Sequence, residues 1–184
     1  NPYNEPYGAS SSNNTWAHWE TQNKTTLDYL RTTLNFQGVV VLDTRNWAAS
    51  FDATTLNNVK NYDATLRSGT SNVVFSNHWY PNHEGSSGYN SSMSNASTIP
   101  VLIGELGQIN PGASGLDITF PRDVLRQLAT TAISSGHNGA FGWMWKWCDQ
   151  NTMVGTADGT ESSDFLNLNT YGNMYVTEYY SKNL

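Results

Sequence analysis

The sequence has few charged residues, and most of those it has are acidic. Lys and Arg together number 9 against 15 Asp and Glu, which gives a formal net charge of −6 and a pI near 5.0. Nucleic-acid-binding proteins present Lys and Arg to the phosphates, so this balance argues against a nucleic-acid partner. No apolar run approaches the roughly 20 residues that a membrane span requires, and we expect no membrane association.

Cysteine is nearly absent as well. Cys148 is the only one, which excludes both an intrachain disulfide and a thiolate metal cluster. The histidines belong to no His/Asp/Glu cluster with the spacing of metal ligands. Four acidic residues, Asp149, Asp158, Glu161 and Asp164, could in principle hold Ca²⁺, but a solvated acidic loop is the better interpretation. We expect no metal and no other cofactor.

Uncharged polar residues take the place of the charged ones. Asn, Ser and Thr number 22, 19 and 20, about a third of the 184 residues. Hydrophobic residues still make up 38% of the chain, enough for one folded domain over residues 1–184. Few lysines, many Asn, Ser and Thr and many aromatics are typical of a secreted, extracellular protein that meets polysaccharide. The motif-like first residues, with no signal peptide before them, predict a cut or processed N-terminus.

Four short β-branched or apolar runs predict strands, and the first three are largely continuous, as expected for parallel strands that are buried on both faces. They are Gly38–Asp43, Asn72–His78, Pro100–Glu105 and Gly139–Trp145. Apolar residues at helical spacing predict helices between and around them, over Trp16–Leu34, Leu56–Leu66, Arg122–Ser135 and from about Tyr171 onward. This alternation predicts an α/β fold of parallel βα units, either a barrel or a doubly wound open sheet. The lack of a Gly-rich phosphate loop after any strand disfavours the second.

Polar, acidic or aromatic residues cluster at the carboxyl end of every predicted strand. They are Asn4 and Glu5, then Asp43, Asn46 and Trp47, then His78 and Tyr80, then Glu105, then Trp143 and Trp145. In a parallel barrel they would all converge on one rim. Glu105 is the sharpest case because it directly follows an apolar strand. Two carboxyl groups facing one cleft are what glycoside hydrolysis needs, although Glu5 is equally compatible with a solvated residue near the terminus.

Five sequence blocks together resemble the family 5 glycoside hydrolases of clan A, and most of all the bacterial endo-β-1,4-mannanases. The blocks are Asn4-Glu5-Pro6-Tyr7-Gly8, Asp43 through Trp47, Phe75 through Tyr80, Ile103-Gly-Glu-Leu-Gly107 and Gly142-Trp-Met-Trp145. They cover nearly the whole chain, from the fourth strand of the family's barrel to the eighth. The resemblance therefore implies a partial (β/α)8 TIM-type barrel, with strands 5–8 and a stub of strand 4.

The resemblance also implies a role for each matching residue. Glu5 would be the general acid/base and Glu105 the nucleophile of a retaining mechanism, in which the two carboxyl groups stand about 5–5.5 Å apart. Asn4 would bind the sugar 2-hydroxyl, Tyr80 would orient Glu105, and His78 would line the site or support the acid. Trp143, with Trp145 as the second candidate, would lie under the sugar ring, and Trp47 would flank a neighbouring subsite.

These roles imply a retaining endo-β-1,4-glycanase acting on plant cell-wall polysaccharide, with mannan favoured over cellulose. Two other interpretations stay open. The chain could be a non-catalytic carbohydrate-binding remnant of such a barrel, or a generic α/β domain for another small ligand, for which the five ordered blocks would be a coincidence.

The family's barrel has three further strands before its Asn-Glu-Pro block, and they bring an Arg and a His that support the nucleophile and the substrate. Both are absent here, so the chain is either a fragment of a longer enzyme or a genuine partial barrel. A partial barrel leaves unpaired strand edges, which invite association. We therefore expect the chain to pair with itself or with a missing N-terminal half, and light scattering that shows a well-behaved monomer would contradict this.

Overall fold

The alternation of strands and helices is present in the three-dimensional structure. A computed structural model of the chain describes residues 6, 15–81, 91–92, 94–109, 116–135, 137–144, 151, 153–154 and 167–181. The elements are α1 (Trp16–Asp28), a π-helical turn (Tyr29–Thr33), β1 (Val40–Asp43), α2 (Ala53–Leu66), β2 (Val73–Trp79), β3 (Val101–Leu106), α3 (Thr119–Ser135), β4 (His137–Gly142), α4 (Thr170–Tyr175) and a second π-helical turn (Val176–Tyr180). In this part of the chain, no helix has both the length and the apolar character that a membrane crossing needs.

The four strands form one parallel sheet in the order β1-β2-β3-β4. The order follows the chain without a reversal, whereas a doubly wound sheet reverses direction at a switch point. The sheet therefore winds in one direction, as a barrel does. Most boundaries differ from the sequence-based expectation by one to three residues. The difference that matters for the site is that β4 ends at Gly142 rather than at Trp145, so Trp143 follows the strand.

Each of the helices α1 to α4 begins beside a side chain that accepts a backbone hydrogen bond. Thr15, Asp52 and Asn169 accept from the N–H three residues further on, at 3.1, 2.8 and 3.0 Å. Asp117 accepts from the N–H of Thr119 at 3.0 Å, at the start of α3. The Thr119 hydroxyl, together with the backbone N–H groups, lowers the pKa of Asp117. These residues satisfy N–H groups that a helix start otherwise leaves without partners.

The outer face of the sheet carries the hydrophobic core, which lies between the strands and the helices. Alternate strand residues point to this face. Those of β1 and β2 pack with α1 and α2, in a cluster that includes Val40, Leu42, Val73, Phe75, Leu27, Leu56 and Val59. Those of β3 pack with α3 and α4, in a cluster that includes Ile103, Leu106, Leu125, Leu128, Tyr171 and Tyr175. Burying each aliphatic side chain contributes about 1.5–3 kcal/mol.

The inner face of the sheet changes character along the strands. Near the amino ends it carries the half-buried Val41 and Val74, which are paired in register. Towards the carboxyl ends the inner residues are Asp43, Ser76 and His78, all buried. Because buried polar groups need partners, this carboxyl end is the place where the sheet builds specific contacts.

A buried ion pair ties the helices to the opposite, amino end of the sheet. Arg31 Nε lies 2.7 Å from Asp63 Oδ1, and both side chains are 0% exposed. The other oxygen of Asp63 accepts from the Ser71 hydroxyl at 3.0 Å and from the Asn72 N–H at 2.7 Å. Arg31 also donates to two backbone carbonyls of the segment before β1, at 2.6 and 2.9 Å. The pair thereby fixes the segments that directly precede β1 and β2.

Replacing Asp63 by Asn leaves Arg31 as a buried charge without its counter-ion. We expect the free energy of unfolding to fall by about 3–5 kcal/mol, measured by urea denaturation. Glu20→Gln is the matched control, because Glu20 pairs with Lys24 at 2.6 Å on the partly exposed surface of α1. That control is expected to cost about 0.5 kcal/mol or less. Equal losses in the two variants would contradict this assignment.

Candidate active site

Reactive side chains lie together where β1, β2 and β3 end. Asp43 is the last residue of β1, His78 is the next-to-last residue of β2, and Tyr80 directly follows β2. Glu105 is the next-to-last residue of β3, and Trp143 directly follows β4. Since the strands are parallel, all five positions lie at one edge of the sheet.

Glu105 is held by two side chains at the carboxyl end of β2, one in the strand and one directly after it. The Tyr80 hydroxyl donates a 2.5 Å hydrogen bond to Glu105 Oε2. The Nδ1 atom of His78 lies 3.5 Å from the other oxygen, Oε1. The Glu105 side chain is 12% exposed, so one part of it is fixed by protein groups while another part reaches solvent. A hydrogen bond from a neutral hydroxyl to a carboxylate is charge-assisted and fixes its orientation.

A bulge in β3 decides the face on which Glu105 lies. Asn77 of β2 pairs with Ile103, but the next residue, His78, pairs with Glu105, so that Gly104 is an extra residue on β3. In a regular strand Glu105 would share the outer, helix-facing side with Ile103. The extra residue turns Glu105 to the inner face beside His78, which is a common effect of a β-bulge.

Two glycines next to Glu105 leave room for the side chains that hold it. A Cβ atom at Gly104 would overlap Ser76 Oγ and would lie 3.0 Å from His78 Nε2. A Cβ atom at Gly107 would overlap the ring of Tyr80 and would lie 2.7 Å from Asn151 Oδ1. The Gly-Glu-Leu-Gly sequence therefore has a packing reason, because only a residue without Cβ permits these close approaches.

Asp43 faces His78 from the side opposite Glu105. Its Oδ1 lies 3.6 Å from His78 Nε2, and the two side chains are 1% and 4% exposed. The backbone carbonyl of Asp43 accepts from Trp19 Nε1 at 3.0 Å, which anchors the end of β1 to α1. The sequence placed Asp43 among the polar residues of the rim but gave it no role.

The loop after β1 carries Trp47 on an unusual backbone. Three consecutive residues, Asn46, Trp47 and Ala48, have positive φ angles of 62°, 52° and 57°. This left-handed conformation costs a residue with a Cβ atom about 1–2 kcal/mol. The Trp47 side chain is 41% exposed, so the loop presents an aromatic ring to solvent.

Asn77 holds this loop against the sheet. Its buried side-chain amide donates to Thr44 Oγ1 at 2.5 Å and to the carbonyls of Ala48 and Ser50 at 3.0 and 3.4 Å. The N–H of His78 adds a bond to the Ala48 carbonyl at 2.9 Å. Sequence reasoning missed Asn77, since its partners are 27–33 positions away in the chain.

Residues from the C-terminal part of the chain support the turn that follows Glu105. Asn151 Oδ1 accepts from the N–H groups of Gln108 and Ile109 at 2.8 and 3.1 Å. The Tyr171 hydroxyl donates to the carbonyl of Leu106. Sequence reasoning missed both residues, because a lone Asn and a lone Tyr carry no signal of such distant contacts.

Trp143 lies one strand away from Glu105. Its N–H donates to the carbonyl of Leu106 at 2.9 Å, and its side chain is half-buried. Asn4, Glu5 and Trp145, the other predicted site residues, lie outside the described residues. Of the predicted set, the structure thus joins Glu105, Tyr80 and His78 by contacts and places Trp143 and Trp47 at the same end of the sheet.

Comparison with known proteins identifies the family. The family model described as "Cellulase (glycosyl hydrolase family 5)" matches residues 1–150 of the chain. The chain belongs to glycosyl hydrolase family 5. This confirms the resemblance inferred from the five sequence blocks. No curated protein matches the chain.

A solved structure of this family has the same fold. The mannotriose complex of the Thermomonospora fusca β-mannanase matches with a TM-score of 0.64 and 27% sequence identity. The match covers 96% of this chain and 54% of the mannanase chain, so this family 5 chain spans about half the length of that enzyme. Its parallel sheet and helices thus form a partial (β/α) barrel, as predicted.

In the described part of this family 5 chain, no group of three or more His, Cys, Asp or Glu side chains has an arrangement that could hold a metal ion. The described residues bring a carboxylate, an imidazole and a phenol together at Glu105, His78 and Tyr80. Glu105 can attack or accept a proton, while Tyr80 and His78 fix its two oxygens.

Replacing Asn77 by Ala removes the amide that fixes the Trp47 loop. We expect a loss of about 1–3 kcal/mol in the free energy of unfolding and faster trypsin cleavage after Arg45, which lies in this loop. Asn72→Ala is the matched control, since its amide donates to the Gln37 carbonyl at 3.0 Å, before β1. The prediction fails if both variants are cleaved after Arg45 at the same rate.

Proposed function

We propose that this chain is the catalytic-type part of a retaining endo-β-1,4-glycanase that hydrolyses plant cell-wall polysaccharide. The observation that carries the proposal is the geometry of Glu105. Glu105 is a carboxylate at the carboxyl edge of a parallel sheet. One of its oxygens accepts a 2.5 Å hydrogen bond from the Tyr80 hydroxyl, and the other lies 3.5 Å from His78 Nδ1. A carboxylate that is oriented by protein groups and still reaches solvent suits a nucleophile.

In the proposed reaction Glu105 attacks the anomeric carbon of the sugar. The glycosidic C–O bond breaks, and Glu5, as general acid, gives its proton to the leaving oxygen. A water molecule then attacks the glycosyl–Glu105 ester while Glu5 takes a proton from that water, which restores both carboxyl groups. The Tyr80 hydroxyl sets the orientation of the Glu105 carboxylate during the attack, and Asn4 would bind the 2-hydroxyl of the reacting sugar.

The substrate class rests on aromatic side chains and on the mannanase relative. Sugar rings stack their C–H faces on aromatic rings, and Trp143 and the exposed Trp47 stand at the edge of the sheet that carries Glu105. The Thermomonospora fusca enzyme, 27% identical over 96% of this chain, is a β-mannanase in complex with mannotriose. We therefore favour mannan over cellulose as the substrate, with Trp145 as a second stacking residue. Since such polymers lie outside cells, a secreted, extracellular location follows from this proposal.

The proposal is tested by the release of reducing sugars from mannan and from carboxymethyl cellulose. We expect the chain to hydrolyse mannan faster than carboxymethyl cellulose, and Glu105→Gln to lower the rate about a thousandfold or more, because the nucleophile is lost. Glu20→Gln makes the same chemical change on α1, away from the site, and is expected to leave the rate unchanged.

Two outcomes would contradict this proposal. Equal rates in the Glu105→Gln variant and the unmodified chain would exclude Glu105 as the nucleophile. Binding of mannan that survives in both proteins without any hydrolysis would favour the alternative, a non-catalytic carbohydrate-binding remnant of the barrel.

A further inference from the structure

We propose that Asp43 is a positioning residue that keeps His78 as an imidazolium, with its Nδ1–H directed at Glu105. The consequence for catalysis, that Glu105 stays an ionised nucleophile, rests on the function proposed above. The charge of His78 follows from the contacts of Asp43, His78 and Glu105 and is a property of the folded chain whatever its substrate.

The three side chains form a row across three neighbouring strands. His78 of β2 stands between Asp43 of β1 and Glu105 of β3, with Nε2 3.6 Å from Asp43 Oδ1 and Nδ1 3.5 Å from Glu105 Oε1. Both carboxylates lie within ion-pair distance of the His78 ring. Each of the two ring nitrogens therefore faces an acidic group.

The charge of the His78 ring follows from the number of N–H donors that its two carboxylate neighbours require. A neutral imidazole has one N–H donor and one lone pair, so one of the two carboxylates would face that lone pair. An imidazolium has a donor on both nitrogens and directs an N–H at each carboxylate. The row then carries a net charge of −1 instead of −2 in a site where the three side chains are 1–12% exposed. An opposite charge within about 4 Å favours the charged form of a histidine, and His78 has one carboxylate on each side, so the imidazolium is the stable form.

The two carboxylates at the ends of the row differ in their exposure to solvent. The Asp43 side chain is 1% exposed, and that of Glu105 is 12% exposed. Asp43 is further anchored by the Trp19 bond to its carbonyl at 3.0 Å. Gly104 leaves the space that the imidazole occupies, since a Cβ atom there would lie 3.0 and 3.2 Å from His78 Nε2 and Cδ2. The deep carboxylate therefore acts on the ring, and the ring acts on the carboxylate that solvent can reach.

The charge of His78 is measured by ¹⁵N NMR of the imidazole nitrogens. The chain has 4 histidines, and His78→Asn identifies the signals of His78 by their loss. We expect both nitrogens of His78 to be protonated at pH 7 in the unmodified chain, and Asp43→Asn to convert the ring to a neutral tautomer. Asp52→Asn is the matched control, because Asp52 caps α2 and Asn caps a helix equally well.

Two NMR results would overturn the proposal: a neutral His78 in the unmodified chain, or an unchanged imidazolium in Asp43→Asn. Circular dichroism checks that Asp43→Asn folds, and Asp43→Ser provides a second variant if it does not. This measurement needs no substrate, so it decides the inference even if the chain hydrolyses no glycan and the proposed function fails.

Kinetics then test the link to Glu105. We expect Asp43→Asn to lower kcat/KM for mannan by about 10- to 100-fold and to move the acidic limb of its pH profile upward by about one pH unit or more. The limb moves upward because Asp43→Asn removes the positive charge of the imidazolium, which at 3.5 Å favours the ionised form of Glu105. The loss of this nearby charge outweighs the loss of the negative charge of the more distant Asp43. In a His78→Asn background, Asp43→Asn is expected to cause no further loss. Additive losses would show that Asp43 acts independently of His78.

Discussion

The extra residue that β3 carries opposite β2 controls which side of the sheet Glu105 occupies. Regular strand alternation would place Glu105 on the same face as Ile103, which is fully buried under the helices. A carboxylate there would lose its hydration without a partner, at a cost of several kcal/mol. The bulge at Gly104 turns it instead towards Tyr80 and His78.

Most of the other contacts at the site stabilise the position that the bulge gives to Glu105. Gly104 and Gly107 admit His78 and Tyr80 at close range, while Asn151 and Tyr171 hold the backbone on the far side of Glu105. Towards β1, Asn77 fixes the loop that presents Trp47. Rigid strands thus place the reactive groups, and loops fixed by buried amides place the aromatic ones.

The elements of the fold were largely predictable from the sequence, because each depends on a local pattern. Short β-branched or apolar runs located the four strands, and the spacing of Leu56, Val59 and Leu66 located α2. The contacts that define the site were not predictable, since Asn77 and Asn151 act on partners 27–43 positions away. The bulge was not predictable either, because the register depends on the pairing of two strands that are distant in the sequence. The roles of Glu5, Asn4 and Trp145 stay predictions, as these residues lie outside the described part of the chain.

The identity of the nucleophile can be measured directly with a 2-deoxy-2-fluoro-β-mannosyl fluoride. Such a reagent traps the glycosyl–enzyme ester, and mass spectrometry of the digested protein locates the added sugar. We expect one label per chain, on the peptide that contains Glu105, and none in Glu105→Gln. A label on another carboxylate, or equal labelling of both proteins, would contradict the proposed role of Glu105.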